Sequence, residues 1–167
     1  LDSKILAEIN TAHQVGFLAG TSSPFYCIEE IIEKISLATG TKRTHQPVVV
    51  LFGPTGVGKT ECAERLAETI HGEIINCDSM QIYRYLTIGT AKPVFPHPTV
   101  PYHMVDIMDP RQHYSVAEYR NAVQPIIQSI LEKGKTPIVA GGSYLYLLSL
   151  IDGLFEMPQP EACKPIR

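Results

Sequence analysis

The sequence predicts an α/β fold in which a parallel sheet carries helices on both faces. Two observations predict it. From Pro47 onward, short apolar runs bounded by Pro, Gly or turn residues alternate with amphipathic helical stretches, as in sheets whose strands are buried on both sides. A glycine-rich turn, Gly53-Pro54-Thr55-Gly56-Val57-Gly58-Lys59-Thr60, joins the first of these runs directly to the first of these helices.

Residues 1–46 stand apart and are expected to form an N-terminal helical extension and linker. Thr21-Ser22-Ser23-Pro24 supplies helix-start chemistry and Gly40 a stop. Between them Ile28, Ile31, Ile32 and Ile35 make an apolar stripe opposite Glu29, Glu30, Glu33 and Lys34. The polar stretch from Thr41 to Gln46 then reads as a linker.

Residues 47–157 are expected to form the core. Val48 to Phe52 reads as a buried strand, and Thr60 to Ile70 as a helix with Ala63, Leu66, Ala67 and Ile70 on one side. Glu73 to Cys77 reads as a second strand and Tyr102 to Ile107 as a third. Ser115 opens a helix to about Glu132, with Glu118 three residues on to complete a capping box. Pro137 to Ala140 is a further buried strand and Ser143 to Leu150 a further helix. Residues 158–167 begin another segment or a tail. The start at Leu1 and the end at Arg167 predict a fragment or a processed form.

Composition narrows the function classes. In 167 residues, 44% are hydrophobic and 19% charged, which is ordinary globular usage. The net charge of −3 does not advertise polyanion binding by the surface as a whole, so any nucleic-acid contact needs a local patch. Cys27, Cys62, Cys77 and Cys163 form no C-x-x-C pair, which argues against a metal knuckle and suits reduced cytosolic thiols. No apolar run reaches membrane-spanning length. A cytoplasmic, non-membrane protein is the expectation.

Gly53 to Thr60 matches G-x-x-x-x-G-K-[ST] in full. Following a buried strand and opening a helix, it is in the context that makes the pattern a P-loop. The loop curls so that successive N–H groups face phosphate oxygens, and the helix start adds its positive dipole end. Lys59 is placed to reach a terminal phosphate and Thr60 to ligate Mg²⁺. The expected fold is therefore P-loop NTPase-like. The motif implies a bound di- or triphosphate and leaves open whether the ligand is a nucleotide such as ATP.

A second block, Asn76-Cys77-Asp78-Ser79-Met80-Gln81-Ile82-Tyr83, begins where the second strand ends. Residues past the carboxyl ends of parallel strands line the ligand crevice. Asp78 is either a helix cap or a group that binds metal or accepts a proton.

Asp78-Ser79-Met80-Gln81-Ile82-Tyr83, followed by Ile88-Gly89-Thr90-Ala91-Lys92-Pro93, resembles the bacterial-type tRNA dimethylallyltransferases. The likeness continues through Val100 to Ile107, Asp109-Pro110, Tyr114-Ser115, Tyr119-Arg120 and Pro137 to Tyr146, then fades after Gly153-Leu154. The resemblance implies that the P-loop holds the diphosphate of dimethylallyl diphosphate with Mg²⁺. The N6 amine of an adenosine beside the tRNA anticodon then attacks the allylic carbon and pyrophosphate leaves. By the same resemblance Asp78 is the general base, Lys59 and Ser143 serve the leaving group, and Ser79, Gln81, Thr90 and Lys92 surround the adenine and pyrophosphate.

Two departures stand out. Where the family has Gly-Gly-Thr, this chain has Gly141-Gly142-Ser143, which keeps the hydroxyl and loses the methyl that narrows its rotamers. The sequence also stops soon after Met157-Pro158, where the family continues into a helical insertion and a later arginine. The competing readings are an ATP-dependent small-molecule P-loop kinase, an AMP prenyltransferase, and a non-catalytic diphosphate-binding fragment. A thermal-shift comparison of ATP with dimethylallyl diphosphate separates the first from the prenyl-transfer reading. Other features read blandly: His97, His103 and His113 as loop or sheet-edge residues, Tyr83, Tyr85, Tyr102, Tyr114, Tyr144 and Tyr146 as core and crevice wall, and Arg111 and Arg120 as solvated surface.

Overall fold

The computed structural model describes residues 48–93 and 97–151, together with the backbone of 15–18. Five parallel strands form one sheet: β1 (Val15–Leu18), β2 (Val49–Phe52), β3 (Gly72–Asn76), β4 (Tyr102–His103) and β5 (Thr136–Gly141). Their spatial order is β1-β2-β5-β3-β4, so β5 lies between β2 and β3. The register pairs Leu51 with Ala140 and Asn76 with the same Ala140 from the other side.

Helices α1 (Lys59–Ile70), α2 (Val116–Glu132) and α3 (Tyr144–Ile151) complete the described elements. Strand alternation sorts the core into two halves. Val49, Leu51, Ile74 and Ile138 pack with Cys62, Ala63, Leu66 and Ala67 of α1. Ile75 and Val139 face the other way, against Tyr119, Val123 and Ile130 of α2 and Tyr146 and Leu147 of α3. Each such aliphatic side chain contributes about 1.5–3 kcal/mol on burial, so both faces of the sheet are held. The fold is P-loop NTPase-like α/β, and among the described residues no helix is long and apolar enough to cross a membrane.

Local signals explain most of the boundaries. Ser115 Oγ accepts from Glu118 N–H at 3.2 Å while Glu118 Oε2 accepts from Ser115 N–H at 2.8 Å, the reciprocal capping box that starts α2. α1 ends where His71 turns left-handed (φ 54°) and its N–H bonds back to Ala67 O.

Three places differ from the sequence-based expectation. The strand expected over 102–107 is only two residues long, because Met104 and Asp106 adopt left-handed φ values of 64° and 56° that no ladder accommodates. Val15–Leu18 adds an edge strand to β2 from within the segment expected to be a helical extension. Of the tyrosines expected in core or crevice wall, Tyr85 and Tyr144 are instead exposed, at 81% and 60%. The helix expected around Ile28–Ile35 and the segment 158–167 lie outside the described residues.

Candidate active site

Three strand ends converge at one edge of the sheet. β2 runs into Gly53, β5 into Gly141-Gly142-Ser143, and β3 into Cys77-Asp78-Ser79. The central position of β5 presses its end against both neighbours. A Cβ on Gly141 would stand 2.1 Å from the Cys77 carbonyl oxygen, so only glycine fits there, and one on Gly142 would stand 3.3 Å from Gly53 O. Hydrogen bonds lock the junction. Cys77 N–H donates to Ala140 O (2.7 Å), Ser143 N–H donates to Cys77 O (3.0 Å), and Ser79 N–H donates to Ser143 Oγ (2.8 Å).

The loop after β2 has the shape its glycines permit. Gly56 and Gly58 take φ values of 84° and 82°, a region costly for any residue with a Cβ. No side chain caps the first turn of α1 at Gly58. An uncapped helix start of this kind offers backbone N–H groups and the positive dipole end to an anion. Lys59 Nζ folds back onto Pro54 O. Burial lowers the Lys59 pKa from its ordinary value, and the Asp78 charge partly opposes that shift.

A cavity of about 170 Å³ opens at this junction. Thr55, Gly56, Gly58, Lys59 and Thr60 line it from the loop, and Asn76, Asp78 and Gln81 from the end of β3. Its apolar side comes from Ala63, Ile74, Pro93 and Tyr102. Tyr102 O–H donates to Glu64 Oε1 at 2.8 Å, and burial first, then this carboxylate, raises the phenol pKa. Asp78 Oδ1 accepts from Met80 N–H at 2.9 Å, and the other carboxylate oxygen has no hydrogen bond among the described residues.

The residues singled out in the sequence divide into two groups. Lys59, Thr60, Asp78 and Gln81 meet at the cavity, and Ser143 stands behind it, bonded to Ser79 N. Thr90 and Lys92 are turned into the fold of the segment between Gln81 and Pro93. Thr90 Oγ1 donates to Leu86 O (2.7 Å), and Gln81 Nε2 closes the segment by donating to Thr90 O and Ala91 O (3.0 and 3.1 Å). Lys92 Nζ donates to Tyr83 O and pairs with Asp106 Oδ1, both at 2.6 Å.

Sequence reasoning named Asn76 and Tyr119 within longer motifs and gave neither a role of its own. Asn76 Nδ2 donates to Asp78 O (3.1 Å) and to Met104 O (2.9 Å), while Tyr119 O–H donates to Asn76 O (2.9 Å). A polar amide ending the apolar run Ile74-Ile75 was the available signal. His103, as expected, is a sheet-edge residue: its Nε2 lies 2.7 Å from Glu73 Oε2, and Lys135 Nζ holds the other oxygen at 2.7 Å. Arg111 is exposed and chelated by Asp109, whereas Arg120 is half-buried rather than solvated.

Comparison with known proteins gives a consistent result. The IPP transferase family profile matches residues 81–167, and the isopentenyl transferase profile matches residues 46–100. The tRNA dimethylallyltransferase of Solibacter usitatus is 46% identical over 122 residues, covering 72% of this chain and 39% of the relative. That of Levilactobacillus brevis is 52% identical over 108 residues, covering 64% of this chain and 35% of the relative. Among solved structures, the full-length tRNA isopentenylpyrophosphate transferase of Bacillus halodurans superposes with a TM-score of 0.63 at 40% identity. That match covers 66% of this chain and 37% of the other. A eukaryotic dimethylallyltransferase acting on tRNA gives a TM-score of 0.57 at 30% identity, covering 72% of this chain and 30% of the other. The match thus spans less than two-fifths of the length of each of these relatives.

Proposed function

The chain belongs to the IPP transferase family, and on that footing we propose that it provides the donor-binding and catalytic core for dimethylallyl transfer to tRNA. The donor is dimethylallyl diphosphate and the acceptor is the N6 amine of an adenosine beside the anticodon. The observation that carries this reading is the single cavity shared by the phosphate loop and Asp78.

The residues have matching roles. The amine lone pair forms the new C–N bond at the allylic carbon as the C–O bond breaks, and its electron pair leaves with pyrophosphate. Lys59 and the uncapped start of α1 face the charge that builds on the leaving oxygens, where preorganised donors act most strongly. Asp78 takes the proton from the amine through the oxygen that Met80 N–H leaves unoccupied. Ser143 holds the Ser79 backbone and so supports the segment that carries Asp78. Ser79, Gln81, Thr90 and Lys92 shape the acceptor side, the last three chiefly by fixing the segment between residues 81 and 93.

Mg²⁺ fits this donor set. Thr60 lines the cavity at the start of α1, across from Asp78 at the end of β3. The Thr60 hydroxyl would hold a Mg²⁺ ion that arrives with the diphosphate, as a hard cation that takes oxygen ligands. When bound, the ion neutralises charge on the leaving diphosphate.

The kinase and AMP-prenylation readings gain nothing from the relatives, which are tRNA dimethylallyltransferases. The test is calorimetric binding of dimethylallyl diphosphate and ATP with Mg²⁺, followed by a labelled-donor transfer assay on unmodified tRNA. Donor binding that exceeds ATP binding and disappears in Lys59→Ala supports the assignment. Where turnover is measured, Asp78→Ala should lower it by about 10²–10⁴-fold with donor affinity retained. ATP binding in preference to the prenyl donor would overturn the proposal.

A further inference from the structure

We infer that Asn76 is a positioning residue for Asp78 and that Tyr119 anchors it from the opposite layer. The inference rests on reading Asp78 as the base. Asn76 is 2% exposed at the end of β3, where the preceding residues Ile74 and Ile75 are apolar. A buried amide at such a place is costly unless its donors are satisfied. Both side-chain hydrogen bonds of Asn76 go to backbone carbonyls beside the site: that of Asp78 and that of Met104.

These two carbonyls belong to different strand ends. Asp78 follows β3, and Met104 follows β4 in a left-handed conformation (φ 64°). A non-glycine residue held there persists only when its surroundings fix it, and the Asn76 amide is one of the groups that does so. Two residues on, Asp106 N–H donates to Gln81 O and Asp106 Oδ1 receives Lys92. Asn76 is therefore a direct side-chain tie between the Asp78 turn and the segment that fixes the acceptor-side loop.

Tyr119 makes the tie rigid. Its hydroxyl donates to Asn76 O, its side chain is fully buried, and its ring stacks on Tyr146 at 4.0 Å and 9°. α2 thus reaches the β3 end through the Tyr119 hydrogen bond, which adds to the bonds that Cys77 and Ser79 make with Ser143 at the start of α3. Displacing a catalytic group by about 1 Å costs up to about 10²-fold in rate, so a tie of this kind acts on turnover rather than on donor affinity.

The test compares Asn76→Ala and Tyr119→Phe with the parent chain by two readouts. One is kcat and KM for dimethylallyl diphosphate with unmodified tRNA. The other is native-state amide exchange at Met80, whose N–H bonds to Asp78 Oδ1. Tyr119→Phe keeps the stacked ring and removes only the hydroxyl, so it remains informative if Asn76→Ala fails to fold. The expected result is a kcat lower by about tenfold in Asn76→Ala and about threefold in Tyr119→Phe, with donor KM within about twofold. Met80 exchange should accelerate at least about tenfold while Val139 in β5 stays protected. Unchanged Met80 protection, or exchange raised equally at Val139, overturns the inference and leaves Asn76 a core residue. Preferential binding of ATP over the prenyl donor counts against the proposed function, and where the parent chain shows no transfer the Met80 exchange decides the inference alone.

Discussion

Lys92 Nζ lies 2.6 Å from Asp106 Oδ1, with the lysine side chain 3% exposed and the aspartate 29% exposed. Together with Tyr83 O, this carboxylate receives an ammonium that the family resemblance places beside the adenine and pyrophosphate. Removing one partner of a fully buried pair costs about 3–5 kcal/mol because the other charge is stranded. With Asp106 partly solvated, Lys92→Met should cost about 2 kcal/mol in urea unfolding, a value discounted for that exposure. The double change with Asp106→Asn should cost clearly less than the sum of the single changes. Unchanged stability with weakened diphosphate affinity would instead put Lys92 on the ligand.

Gly141→Ala should be among the most damaging single changes in the core. Its Cβ would overlap the Cys77 backbone, at 2.1 Å from O and 2.8 Å from Cα, and backbone cannot step aside as a side chain can. A loss of about 3 kcal/mol or more is expected, at the overpacking end of the usual range. Gly142→Ala, with its nearest neighbour at 3.3 Å, should cost less than about 1 kcal/mol. Thermal unfolding of the two variants side by side checks the contrast.

Ser143→Ala leaves Ser79 N–H without the acceptor it has at 2.8 Å. A loss of about 1–2 kcal/mol follows from an orphaned, partly buried donor. Ser143→Thr keeps the oxygen and narrows its rotamers, so stability and donor binding should equal or slightly exceed those of the parent. Urea denaturation and calorimetry of both variants measure this. A large loss in the threonine variant would mean that the methyl has no room at the β5 end.

Glu73 gives the fold a defined acid sensitivity. Burial works to raise its pKa, but the hydrogen bonds from Lys135 and His103 outweigh it, and the folded value lies below the ordinary 4.5. A carboxyl depressed in the folded state contributes stability that is present above its unfolded pKa and lost as pH falls through the folded one. Glu73→Gln should therefore show a shallower loss of stability below pH 4.5 than the parent chain does. Urea midpoints measured on both sides of that value test it, and parallel curves would remove Glu73 from the account.

How much of this was legible in the sequence depends on how local the cause is. The Gly53–Thr60 turn, the strand before it and the Ser115–Glu118 box are each decided within a few residues, and each formed where expected. The short β4 was not legible, because its end is set by left-handed residues whose partners lie elsewhere in the chain. Tyr119 and Asn76 meet across 43 residues, and no pattern at helical or strand spacing announces such a pair. Lys92 illustrates the other limit. A sequence shows that a cation is available, while the side it faces depends on Asp106. Val15–Leu18 was missed for a similar reason: four residues containing a glycine carry little strand signal until β2 offers an edge.

The interposed β5 has a consequence for how this protein comes to exist. β2 and β3 share no ladder with each other; each pairs with β5. During synthesis the phosphate loop and Asp78 therefore emerge on strands that lack their common neighbour until residues 136–141 leave the ribosome. Pairings between distant segments form late because chain entropy must be overcome first. Until then the apolar faces of Val49, Leu51, Ile74 and Ile75 lack the strand that joins them, the state in which nascent sheets are most prone to wrong partners. Affinity for diphosphate should thus appear in one step, when the fifth strand slots in. A nascent chain stalled before Thr136 should show none.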